Sequence, residues 1–416
     1  MKFPKPKIIS FREEITDIQN SKYLTHSIYY HPAKFIPQIV RYCLDKYCKE
    51  NSVILDPFAG SGTTALESSM KGYDSYMIDI NPLLEYFYPI KMPQFNEKKW
   101  HESTEKAEKF LNIVLSKKNT KKLDINGDLL YWYPKELYDY FLQIWSNYHN
   151  LKENEDEITR KIVILVLFKL SKVYSFAEHT MPKLFTSKRK RKFIKELLDN
   201  KNKEEIINKK AFQFLMDIDK AVSKLLIEKR LDGKIKYFSG VDSYKFNFNK
   251  IPQVDCIITS PPYLQAQEYI RTFKMEMRWS GITNAEIKTY SNKEIPFRKT
   301  EGIIEGNYIN GIKSKLVKNN LINMFDSYFW FTIKSLEKAS EKLKKGGKIC
   351  ILVGSPKMEG IKVEIWKAIY EYFVENLDYK PIEVLEDKIV SRKLFKGRKN
   401  LNPEGMMSEY LMVFEK

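Results

Sequence analysis

Short, tight apolar runs mark the two ends of the chain, while longer stretches with helical spacing fill its middle. Val53-Ile54-Leu55 ends at Asp56 and leads straight into a glycine turn. Residues 63–71 have helix-forming composition closed by Gly72, a residue suited to ending a helix. Tyr76-Met77-Ile78 follows as a second buried strand with Asp79 at its tip. Strand, glycine turn, helix, then a strand with a terminal acid is how a doubly wound α/β domain opens. Right-handed crossovers bring both strand tips to one edge of the sheet.

The pattern then changes. Between about 91 and 233 the apolar positions fall at helical spacing, with helix cores at 110–115, 137–148, 162–174, 193–198 and 211–227. Strand signals return at 235–238, 254–259, 348–353, 382–385 and 410–414. Helices are predicted at 328–343, stopped by Gly346-Gly347, and at 363–377. The chain thus divides into an N-terminal arm with a first half-sheet (1–90), a largely helical insertion (91–234) and a second half-sheet (235–416). Within the last, 284–320 is polar, glycine-bearing and long for an ordinary connection.

With 416 residues, 43% of them hydrophobic, the chain can bury a full core and carry a substantial insertion. Lys and Arg outnumber Asp and Glu by 71 to 53, a formal charge of +18 that favours a polyanionic partner. Cysteines at 43, 48, 256 and 350 form no CxxC pair, and the histidines lack metal-ligand spacing. Buried thiols, with neither a disulfide framework nor a metal site, are the expectation. The N-terminus lacks a signal-peptide core, and the apolar 162–170 run is hemmed by Arg160, Lys161 and Lys169. A cytoplasmic protein without a membrane span is expected.

Two segments carry candidate chemistry. The first is Asp56-Pro57-Phe58-Ala59-Gly60-Ser61-Gly62-Thr63-Thr64. Its glycines allow a tight bend and remove side chains where a ligand must approach. It lacks the lysine of a phosphate loop and the third glycine of a dinucleotide loop. Asp56 brings a negative charge that suits a cationic cofactor better than a pyrophosphate, and Asp79 can accept from ribose hydroxyls. The second is Ser260-Pro261-Pro262-Tyr263, at the end of the 254–259 run. Consecutive prolines stiffen the strand end and remove two amide donors. A hydroxyl, free carbonyls and a flat aromatic ring then suit an exocyclic NH2 on a planar base.

DPFAGSGTT followed by IDINP resembles motifs I and II of the S-adenosylmethionine-dependent DNA amino-methyltransferases, and SPPY resembles their catalytic motif. That resemblance implies a mostly parallel, seven-stranded methyltransferase sheet with an antiparallel C-terminal strand. It implies that Phe58, Gly60, Gly62 and Thr63 line the methionine end of S-adenosylmethionine and that Asp79 holds the ribose. Asp242, past the next strand, either accepts from the adenine amine or is an ordinary loop aspartate. Tyr29, His31 and Lys34 fall in a segment resembling the one that precedes motif I and closes over the methionyl carboxylate.

In the same family Ser before Pro-Pro leans toward cytosine-N4 methylation, and Asp or Asn there toward adenine-N6. No Pro-Cys pair follows a strand, which argues against cytosine-C5 chemistry. The implied partner is double-stranded DNA with the target base flipped out beside Tyr263, in a restriction–modification or similar defence system with its cognate endonuclease. Lys188, Arg189, Lys190, Arg191 and Lys192 form a basic run that either grips phosphates or opens a solvated helix. Gln265, Gln267, Arg271, Lys274 and Arg398 are further DNA-facing candidates. Adenine-N6 methylation, methylation of a guanine amine in RNA, and a non-enzymatic DNA-binding role remain as alternatives.

Overall fold

Strands covered on both faces are apolar at nearly every position, and the middle strands of this sheet are. The computed structural model describes the chain except residues 1, 19, 21, 32–34, 118–122, 124, 126, 179–183, 230, 265–267 and 389–407. In chain order the strands are β1 (Lys7–Ile9), β2 (Val53–Asp56), β3 (Asp74–Asp79), β4 (Ile235–Ser239), β5 (Val254–Thr259), β6 (Leu343–Gly354), β7 (Lys357–Met358), β8 (Ile361–Lys362), β9 (Lys380–Lys388) and β10 (Ser408–Glu415). The first helices are α1 (Phe11–Glu14), α2 (Pro37–Tyr47), α3 (Thr63–Met70) and α4 (Leu84–Lys91). The inserted ones are α5 (Glu97–Ser116), α6 (Lys135–Leu151), α7 (Glu157–Val173), α8 (Lys188–Leu198) and α9 (Lys203–Glu228). After β5 come α10 (Tyr269–Thr272), α11 (Lys274–Ser280), α12 (Asn284–Ser291), α13 (Asn307–Lys313), α14 (Asn319–Ser340) and α15 (Ile365–Glu375).

The main sheet runs β1-β9-β10-β6-β5-β2-β3-β4, with β7 and β8 paired apart from it. Every neighbouring pair is parallel except those made by β10, which is antiparallel to both β6 and β9. Among the described residues the sheet has eight strands, not the expected seven. The extra one is β1, an arm segment that Lys7↔Leu385 pairing lays along β9.

Side chains alternate between two apolar layers. Ile54, Cys256, Ile258, Cys350 and Leu411 meet α2, whereas Leu55, Ile257, Ile349, Ile351 and Met412 meet the layer of α14 and α15. The inserted helices form their own cluster around α7, whose Ile162 to Phe168 stretch is wholly buried and packs against α4, α5, α9 and α11.

Two local expectations were wrong. The helix expected over 328–343 starts earlier and stops at Ser340, and Gly346-Gly347 lie inside β6. Pairing of that strand with β5 and β10 outweighs the poor strand propensity of glycine. The stretch 284–320 is not one long loop but holds α12 and α13. A capping box at α12, with Thr283 and Glu286 satisfying each other's backbone donors, was readable as T-x-x-E. Among the described residues no helix is long and apolar enough to cross a membrane.

Candidate active site

The two motifs meet because β2 and β5 are neighbours, with Ile54 opposite Cys256 and Leu55 opposite Ile257. From β2 the chain continues to β3 on one side, while β5 lies on the other. That reversal opens a crevice at the carboxyl ends of the strands. Asp56 fastens the two tips together beneath it. Its Oδ1 accepts from the Thr259 hydroxyl at 2.7 Å and the Phe58 amide at 3.1 Å, and its Oδ2 from the Thr64 hydroxyl at 2.6 Å. Only 2% of Asp56 is exposed, and burial raises its pKa to about 6 despite these donors. Its place is under the turn, holding it, rather than in the crevice facing a cofactor.

The turn itself is left-handed at Gly60 (φ 49°) and Gly62 (φ 74°), a conformation that favours glycine. They serve different neighbours. A Cβ at Gly60 would sit 3.3 Å from His31 Cε1 at the crevice, and the Gly60 amide donates to Asp79 Oδ2 at 2.7 Å. A Cβ at Gly62 would instead strike Tyr88 and Met92, at 2.9 and 3.0 Å, inside the protein. Thr63 is buried at the start of α3, its hydroxyl 3.1 Å from that of Ser61. Asp79 also accepts from the Asn81 amide at 2.9 Å, and burial raises its pKa to about 6.

An open cavity of about 880 Å³ occupies the crevice. Phe58, Gly60, Asp79, Asp242, Ser260 and Pro262 all line it, as does His31. Sequence reading did not single out other lining residues, among them Phe35, Ile80, Val241, Tyr269, Lys293, Glu294 and Ile295. Ile80, next to Asp79, continued a visible apolar run. No spacing in the sequence tied 293–295 to the motifs, because that stretch arrives through tertiary packing beyond α12. Asp242 is engaged at this wall: Arg298 Nη1 donates to its Oδ2 at 2.8 Å, and the guanidinium lies 3.6 Å from the centroid of the Phe331 ring.

Two expected site tyrosines lie elsewhere. Tyr29 is behind the turn, stacked on Phe87 at 4.5 Å and donating to Glu276 at 2.9 Å. Tyr263 donates to Glu409 of β10 at 2.7 Å, which ties the proline tip to the antiparallel strand.

Residues 10–91, which span this turn and both strand-end acids, match the DNA methylase family N6_N4_Mtase. A type II methyltransferase of Geobacillus stearothermophilus, M.BsoBI, is 23% identical over 427 positions, covering 90% of this chain and 82% of its own length. Two more type II methyltransferases match locally. M.MjaII of Methanocaldococcus jannaschii is 35% identical over 104 residues, covering 25% of this chain and 18% of its own. M.MvaI of Kocuria varians is 36% identical over 75 residues, covering 17% of this chain and 16% of its own. Over residues 10–91 the chain is similar to DNA methylases, and over most of its length to a type II methyltransferase. These likenesses support DNA methylation without distinguishing cytosine N4 from adenine N6.

The candidate DNA-facing cations are unequal. The basic run opens α8, where Ser187 caps the helix through the Lys190 amide. Lys190 is only 2% exposed, donates to the Val173 carbonyl, and has its pKa lowered to about 8 by burial. Arg189 pairs with Glu178, and Arg191 lies over Phe176 at 4.4 Å. Lys188, Arg191 and Lys192 keep exposed side chains. Beyond the tip, Arg271 pairs with Glu268 at 2.8 Å and Lys274 with Asp128 at 3.6 Å. Lys34, Gln265, Gln267 and Arg398 lie outside the described residues.

Proposed function

We propose that the protein methylates the exocyclic N4 amine of cytosine within a specific duplex DNA sequence, as the modification enzyme of a restriction–modification or similar defence system. One observation carries the reading: Ser260 and Pro262 line the same cavity as Phe58, Gly60 and Asp79. A transfer reaction needs a cofactor turn and an amine-binding tip in one space.

The residues present fit S-adenosylmethionine. Asp79 accepts one amide on each carboxylate oxygen and keeps lone pairs for ribose hydroxyls. Ile80 and Val241 offer an apolar slot for adenine, with Asp242 at its end for the adenine amine. Phe58, Gly60 and His31 border the methionine end, and the bare Gly60 backbone allows close approach. When bound, S-adenosylmethionine supplies a methyl carbon made electrophilic by its sulfonium.

The chain's own work is orientation. Ser260 Oγ and the carbonyls freed by Pro261 and Pro262 hold the protons of the target amine, so that its lone pair faces the cavity. Tyr263, held by Glu409, braces the tip against β10, and the flipped base meets Ser260 and Pro262. Exposed Lys188, Arg191 and Lys192 engage phosphates away from the chemistry. The type II methyltransferases among the relatives support the defence context.

Incubation with methyl-labelled cofactor and a mixture of mixed-sequence DNA and structured RNA, followed by nucleoside mass analysis, tests the reading. N4-methylcytosine is expected. N6-methyladenine would replace the base assignment, and label in RNA guanosine alone would overturn the DNA reading.

A further inference from the structure

Glu294 is the one carboxylate of the cavity wall that no sequence motif accounts for. It is 5% exposed yet lines the cavity, and among the described residues no ion pair to it is formed. Its Oε1 accepts from the Ile270 amide at 2.9 Å and the carboxyl also takes the Tyr269 amide, which anchors the first turn of α10. Tyr269 in turn stacks on His31, ring centroids 6.1 Å apart, beside Gly60.

The charged groups around Glu294 are mostly acidic. Glu268 precedes α10, and Asp79 at the tip of β3 is close enough to oppose ionisation of Glu294. The Tyr269 phenol feels both Asp79 and Glu294, and Tyr328 of α14 lies beyond it. The nearby cations are turned elsewhere. Lys293 lies over Tyr290 at 5.8 Å, and Arg298 is spent on Asp242 and Phe331. Burial, with Glu268 and Asp79 adding to it, raises the Glu294 pKa to about 7. Of the three carboxylates on this wall, Asp242 is held by Arg298, whereas Asp79 and Glu294 have no arginine or lysine bound to them among the described residues, an arrangement suited to a cationic ligand.

Resting on the cofactor reading above, we infer that Glu294 is the charge-selective residue of that site, favouring the sulfonium cofactor over the uncharged thioether left after transfer. The two ligands differ by one methyl group and one positive charge. With the cation bound, the Glu294 carboxylate is stabilised and sheds its proton. After transfer the sulfonium charge is gone, the carboxylate is again uncompensated beside Asp79, and the spent cofactor leaves more readily.

Calorimetric titration of the full chain with S-adenosylmethionine and with S-adenosylhomocysteine, from pH 6 to 8 in buffers of different ionisation enthalpy, tests this. For the wild type, the preference for the methylated ligand is expected to grow with pH, and its binding to release more protons. Glu294→Gln keeps an acceptor for the Ile270 amide. It should narrow the preference by about tenfold, equivalent to 1.4 kcal/mol, and remove the difference in proton release. Glu294→Asp should restore part of the preference. An unchanged preference in Glu294→Gln, or equal weakening of both ligands, would overturn the inference and leave Glu294 as a support for α10. Gly60→Leu tests the cofactor reading separately, because it should lose both ligands alike. A wild type that binds neither ligand would take down that reading and this inference together.

Discussion

The carboxyl edge of the sheet and the helical insertion are built by opposite means. At the sheet edge, residues some two hundred positions apart meet because strand order makes β2 and β5 neighbours, and Asp56 has defined partners on both sides of the junction. In the insertion, Ile162 to Phe168 of α7 supply an apolar axis and the other helices close around it, so its buried faces serve packing. Its most conspicuous polar feature, the basic run opening α8, spends Lys190 on a carbonyl and Arg189 on Glu178. A polar motif at a strand tip therefore carries more information about chemistry than an equally polar run on a helix.

The sharpest way to break this contrast is to fill the turn. Gly60→Leu forces a left-handed residue to carry a branched side chain against His31. It should weaken cofactor binding by roughly a hundredfold while the circular dichroism spectrum is kept. Near wild-type affinity in a folded variant would remove the turn from the site.

Asp56→Ala probes the junction itself. It strands two buried hydroxyls and one amide, and should cost about 3 kcal/mol of stability in urea unfolding. A loss below about 0.5 kcal/mol, the scale of an ordinary surface substitution, would contradict the fastening role.

A third variant sets the direction of a pH effect. Glu294 has a folded pKa of about 7 against an ordinary value of 4.5, so the native state holds its proton more tightly than the unfolded chain. Its contribution to stability is fullest at low pH and falls as pH rises through that window. Glu294→Gln should therefore gain on the wild type by about 2–3 kcal/mol above pH 7 and by little at pH 4. Melting curves at both pH values check the sign.

The smallest effect belongs to the insertion. Neutralising Lys188, Arg191 and Lys192 should flatten the salt dependence of DNA binding, lowering the log–log slope by roughly 0.9 for each phosphate no longer neutralised, and spare cofactor affinity. Lys190→Met should leave that slope unchanged.

The legible parts of the sequence were those where one local pattern fixes both structure and surroundings. Val53-Ile54-Leu55 before the glycines, and Val254 to Thr259 before the prolines, announced buried parallel strands, and their tips border one cavity. The wall from Lys293 to Arg298 was not legible. Glu294 and Arg298 act through the Ile270 amide and Asp242, hydrogen bonds between segments with no shared periodicity. The separate duties of Gly60 and Gly62 were hidden too, because both demand the same backbone and only the packing of His31 or of Tyr88 distinguishes them.

The central claim is that cofactor binding and amine activation are two halves of one cavity, separable by mutation. Single-turnover methyl transfer by Ser260→Ala, at saturating cofactor and DNA, tests it most directly. The expected result is wild-type cofactor affinity with transfer slowed by roughly a hundredfold or more, the scale of losing one positioned polar group. Transfer at the wild-type rate would contradict the account and return the proline tip to an ordinary strand ending.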